Sequence, residues 1–169
     1  MAIFIITFGA FIVGILLIVS LKKVSPPTPQ EQIHFDNSED IPKYLRDPTA
    51  FKDKCVEFLE KFNLEYVHSV WANDQELEIA MNDETPVVGG VYLALCIIDP
   101  PGQTVNAIKV KGFLDTVKGE GASRGIFITT GYFSDEAIRS IDEEPVELVD
   151  VVSFISYLKR FGIYENPSP

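Results

Sequence analysis

Histidine and cysteine are almost missing from this chain. Two of each occur among 169 residues: His34 and His68, Cys55 and Cys96. There is no CxxC pair and the histidines lie far apart, so no metal-ligand spacing is visible and no metal or cofactor is expected. In a cytoplasmic domain the two cysteines read as buried thiols rather than a disulfide. Basic charge is scarce as well, with 14 Lys and Arg against 25 Asp and Glu and a net charge of −11. A surface that acidic repels phosphate backbones and anionic headgroups, which argues against a nucleic-acid partner. The densest basic stretch, Lys109 to Arg124, has acids among its lysines and reads as a solvated helix face.

Long hydrophobic runs are absent with one exception. Ala2 to Leu21 carries no charged residue and is followed at once by Lys22 and Lys23. About 20 apolar residues cross a bilayer core as a helix. A cleaved signal peptide would place its positive charge before the run and a small-residue cleavage site after it, and Val24-Ser25-Pro26-Pro27 does not suit that. The expected segment is therefore a single-pass anchor in the bilayer. The lysines hold its C-terminal end on the cytoplasmic side of a bacterial inner membrane and leave the N-terminus outside. Thr7, Ala10 and Gly14 share one helix face and are candidates for helix packing in lipid, although small residues are common in any membrane helix. Without the two lysines, the net charge of the remainder goes from −11 to −13.

What the chain does have is punctuation. Pro26, Pro27, Pro29 and Pro42 mark an extended linker, with an ordered strap through Ile33, Phe35 and Ile41 as the other reading. Asp47-Pro48 opens a helix whose buried face is Phe51, Cys55, Phe58, Leu59 and Phe62. Strands are predicted over 64–71, 77–81 and 91–98, then a helix over 105–117 with Ala107, Ile108, Val110, Leu114 and Val117 as its apolar face. Gly125 to Ala137 (GIFITTGYFSDEA) reads as a buried strand, a turn and a helix capped by Ser134. A strand at 146–149 and a last helix near Asp150 follow. The order gives an α/β fold with a mixed sheet flanked by helices: a meander of three strands, then parallel strands alternating with helices. The divisions are an anchor (1–23), a proline-rich linker (24–47), an α/β domain (48–163) and a tail (164–169).

This arrangement resembles the restriction-endonuclease fold, and its Mrr-like branch in particular. The resemblance covers roughly Ala50 to Gly162. It is strongest over FLDTVKGEGASRGIFITTGYFSDEA, Phe113 to Ala137, and is supported by Val146-Glu147-Leu148-Val149-Asp150. It implies metal-dependent phosphodiester hydrolysis by an Asp on one strand and a Gln/Glu-x-Lys on the next. Laid onto this chain, Glu78 stands at the Asp position, and also reads as an ordinary outward residue of an alternating strand. Leu95, Cys96 and Ile97 occupy the Gln-x-Lys positions, and VYLALCII contains no Gln, Glu or Lys in any register. Asp74, Asp83, Glu84 and Asp99 offer loop carboxylates at no recognisable spacing. No other catalytic motif is present: Ser134 and Ser153 have no histidine at motif spacing, and Gly119-Glu120-Gly121 has no phosphate-loop lysine.

With Glu78, Leu95 and Ile97 as vestigial positions, the expected function is non-catalytic. It is a single-pass accessory or scaffold subunit whose cytoplasmic pseudo-nuclease domain docks on a larger membrane protein complex, such as a respiratory, photosynthetic or transport assembly. The alternative is a membrane-anchored Mrr-like metal-dependent nuclease with a migrated site, or a nucleic-acid binder that does not cut.

Overall fold

The computed structural model describes residues 41–100 and 102–165. The predicted anchor, with Thr7, Ala10 and Gly14, lies outside them. Among the described residues no helix is long and apolar enough to cross a membrane.

A short 3-10 turn, Lys43–Leu45, leads into α1, Pro48–Glu60. The Asp47 side chain accepts from the Ala50 N–H at 2.8 Å, and Pro48 takes the first helical position, where its missing N–H costs nothing. Three antiparallel strands follow: β1 (Glu65–Trp71), β2 (Glu76–Asp83) and β3 (Gly90–Ile97). After the two-residue β4 (Thr104–Val105) comes α2, Ala107–Gly119, capped by Asn106. Then come β5 (Arg124–Thr129), β6 (Tyr132–Phe133), α3 (Asp135–Arg139, capped by Ser134), β7 (Val146–Val149) and α4 (Val151–Arg160, capped by Asp150). The main sheet runs β1-β2-β3-β5-β7, with β5 parallel to β3 and β7 parallel to β5. The predicted mixed sheet flanked by helices is the architecture found. Sequence reasoning missed the small parallel pair of β4 with β6, because two residues are too few to show a period.

Each face of the sheet has its own core. Leu77, Ile79, Met81, Ala94, Cys96, Ile128 and Val149 pack against Phe51, Phe58, Phe154 and Leu158 of α1 and α4. Leu95, Ile97, Phe127 and Val146 pack against Val110, Phe113, Leu114 and Val117 of α2. This sandwiching explains why β3 reads as an unbroken apolar run: Ala94 and Cys96 enter one core, Leu95 and Ile97 the other. Two side chains placed in apolar helix faces by the sequence end up exposed, Ile108 at 82% and Phe62 at 45%. Tyr44 and Leu45, within the stretch predicted as linker, are buried.

Candidate active site

The amino-terminal end of β2 is built by Asn73. Its side-chain oxygen accepts from the N–H groups of Gln75 and Glu76 at 2.9 and 3.0 Å, turning the chain out of β1. Alternation then sends Leu77, Ile79 and Met81 into the α1–α4 core and leaves Glu76 and Glu78 on the α2 side. Two residues of strand separate carbons α by about 6.7 Å, so the two carboxylates are neighbours on one face. Glu76 lies opposite Ile97 in the β2–β3 ladder and Glu78 lies opposite Leu95. Directly opposed residues of a ladder share a face. The Glu-x-Glu pair therefore borders the very positions at which the resemblance expects Gln and Lys.

Those positions are apolar and closed. Leu95 is 8% exposed and Ile97 2%, both beneath α2. A lysine is nevertheless present. Lys109, in the first turn of α2, forms a close ion pair with Glu76 through Nζ and Oε1. Its hydrogen bond holds the Glu76 carboxyl below the usual carboxylate range, against the smaller opposing effect of burial. The sequence pattern places Lys109 on a solvated helix face and does not single out Glu76. The i, i+2 acids were readable as a pair on β2. Their meeting with a lysine 33 residues later was not, because it depends on how α2 crosses the sheet.

The Thr-Thr-Gly turn after β5 is a clasp. The Thr129 hydroxyl, wholly buried, donates to Asp99 Oδ2 at 2.6 Å, and the Gly131 N–H donates to Thr129 Oγ1 at 2.9 Å. The Asp99 N–H donates to Thr130 Oγ1 at 2.8 Å, and the Thr130 hydroxyl donates to the Asp99 carbonyl at 3.1 Å. A side chain at Gly131 would sit 2.7 Å from the Gln103 carbonyl oxygen, so only glycine lets the turn close. The clasp fixes the end of β3 to the end of β5. Asp83 lies at the far end of β2, where Thr85 donates to it.

Among the described residues no group of three or more His, Cys, Asp or Glu side chains could hold a metal ion. That disfavours zinc, which takes at least three protein ligands. Two carboxylates still fit magnesium, which keeps several waters and is commonly held by one or two carboxylates plus substrate phosphate.

Residues 47–158 match the Mrr catalytic family, described as restriction endonuclease. A solved DNA modification-dependent restriction endonuclease, AspBHI, superposes with a TM-score of 0.52 at 13% identity, over 80% of this chain and 40% of that one. The MspJI restriction endonuclease in complex with a 27-mer oligonucleotide gives a TM-score of 0.49 at 20% identity, over 70% of this chain and 29% of that one. The chain thus spans less than half the length of either, and at these identities the likeness is one of fold. No curated protein matches the chain.

The family match corrects three expectations: a non-catalytic accessory subunit, a chain that is not an enzyme, and a membrane complex rather than nucleic acid as partner. The β3 strand alone shows only the loss of its polar residues, whereas α2 brings Lys109 to Glu76, opposite Ile97. Net charge describes the whole surface, whereas binding responds to the local field.

Proposed function

Because the chain belongs to the Mrr-type restriction endonuclease family, we propose that its α/β domain, residues 48–163, hydrolyses DNA phosphodiester bonds from the β2–α2 face. The observation that carries this reading is the Lys109–Glu76 pair, set opposite Ile97 with Glu78 beside it. The strand motif is degenerate at Leu95 and Ile97, and its polar functions have migrated to β2 and α2. Glu76 and Glu78 would hold a divalent cation, which when bound supplies Lewis acidity and lowers the pKa of its water. Lys109 favours the ionised form of Glu76 and carries the positive charge available to a phosphate oxygen. Leu95 and Ile97 keep water out from beneath the carboxylates, so that charges above them interact in a lower dielectric.

The test uses the full chain in detergent, with methylated and unmethylated plasmid and magnesium or manganese. Cleavage is expected, and Glu78→Gln and Lys109→Met should each slow it by about a hundredfold or more while the circular dichroism is unchanged. No cleavage of either plasmid, or cleavage that both variants leave intact, would overturn the reading.

We further propose that residues 2–21 tether this domain to the cytoplasmic face of the membrane through the stretch 24–47. The uncharged run before Lys22 and Lys23 motivates it. The chain should stay in the membrane pellet through alkaline carbonate washing, and release into the supernatant would refute the tether.

A further inference from the structure

A second site candidate lies on the opposite face of the sheet, at the end away from Glu76 and Glu78. It is a cavity of about 390 Å³ under α1 and α4, at the starts of β3, β5 and β7. That size falls within the roughly 300–1,000 Å³ range of small-molecule pockets. Its floor follows from the ladder. Tyr92 of β3 pairs with Arg124 of β5, and Glu147 of β7 pairs with Ile126, which packs into the α1–α4 core. Arg124 is two residues before Ile126 and therefore shares its face. Asp83 is two residues beyond the buried Met81 and joins the floor from β2. The walls are aromatic: Phe62 and Tyr157 stand edge to face with centroids 6.4 Å apart. Phe62 is held at the rim by the left-handed turn of Asn63, φ 59°, which ends the helix.

The chemistry of this lining is selective. Aromatic walls favour a flat, unsaturated body. Arg124 only donates hydrogen bonds, whereas ionised Asp83 and Glu147 only accept them. Neither Arg124 nor Glu147 has an ion pair among the described residues. Asp83 spends one oxygen on Thr85 and keeps the other. A fitting ligand is therefore planar and not anionic, with acceptors on one edge and several N–H donors on another. Glu144, the third acid of the lining, is paired with Lys118 at 2.8 Å, and the free carboxylates of Asp83 and Glu147 disfavour a phosphate in the cavity. Guanine meets the requirement: O6 and N7 suit an arginine fork, and N1–H with the 2-amino group suits a carboxylate. Adenine sets its amino group beside ring acceptors and has no N–H next to it, so it cannot meet one carboxylate with two parallel donors.

We propose that this cavity binds a guanine base, independently of the chemistry on the β2–α2 face. The experiment is titration of the full, isotope-labelled chain in detergent with guanosine and, separately, adenosine, followed by amide NMR. Saturable shifts at Tyr92, Gly125 and Ile126 are expected with a guanosine Kd below about 1 mM. Arg124→Ala and Glu147→Gln, both at exposed positions, should each raise that Kd about tenfold, with the remaining spectrum unmoved. Phe62→Ala should weaken binding of either nucleoside. Absence of saturable shifts, equal affinity for adenosine, or indifference to both polar substitutions would overturn the assignment.

Discussion

Lys54, beside Tyr44, ties the start of the domain to its end. Lys54 is 6% exposed, and its ammonium donates to Glu57 at 2.7 Å, Glu165 at 2.8 Å and the Ile163 carbonyl at 3.0 Å. It also lies 5.6 Å from the ring centroid of Tyr44. Burial pulls the lysine pKa down, but the hydrogen bonds it donates to Glu165 and Glu57 outweigh that and hold it above the ordinary 10.5. Burial pushes the Tyr44 phenol well up, helped by Tyr164 and Glu165. Both shifts are upward, so stability is undiminished below the ordinary values near 10 and drains away as pH climbs towards the folded ones. The chain should therefore lose stability above about pH 10. Because the Tyr44 hydroxyl is buried with no hydrogen-bond partner among the described residues, Tyr44→Phe should gain about 1 kcal/mol at neutral pH and soften the alkaline loss. Urea midpoints at pH 7 and pH 11 for both proteins check this. A lower midpoint for Tyr44→Phe at pH 7 would mean that the hydroxyl has a partner after all.

Among the elements, α2 matters most to the site because it carries Lys109. Its distance from the sheet is set by Gly125. A carbon β there would lie 2.6 Å from Val117 Cγ2 and 2.9 Å from Phe113 Cε1. Gly125→Ala should thus cost about 1–3 kcal/mol by overpacking, read as a lower urea midpoint. Adding Val117→Ala should recover part of the loss, and an unchanged midpoint in the single variant would show that α2 has room to move. Much at this scale was legible in the chain. Asp47, Ser134 and Asp150 cap helices as their chemistry suggests, and the strand at Val146–Val149 has the bounds read for it. These signals are local, set by one turn or one alternation. Ile108 misled because it fits the helical period at the exposed start of α2, where no neighbour covers it. The candidate site was half legible. Glu78 could be placed by its strand, but the Lys109–Glu76 contact is a product of tertiary packing and has no sequence signature.

At the scale of the molecule, the excess of acid does not spread evenly over function. The two proposed sites use opposite faces and opposite ends of one sheet, so each has its own local field. The strand order has a different consequence, for how the chain comes into being. Each strand of β1-β2-β3-β5-β7 docks beside the one synthesised before it, so the sheet can grow as the chain leaves the ribosome. The aromatic face of α1 cannot be finished in that order. Phe51 and Phe58 meet Phe154 of α4 edge to face, and α4 follows every strand of the sheet. A nascent chain therefore leaves the aromatic face of α1 without its α4 partners until the whole sheet has been made. A chain stopped at Asp150 should show no cooperative urea transition, whereas a sharp transition in that truncated chain would mean that the sheet completes itself without its final helix.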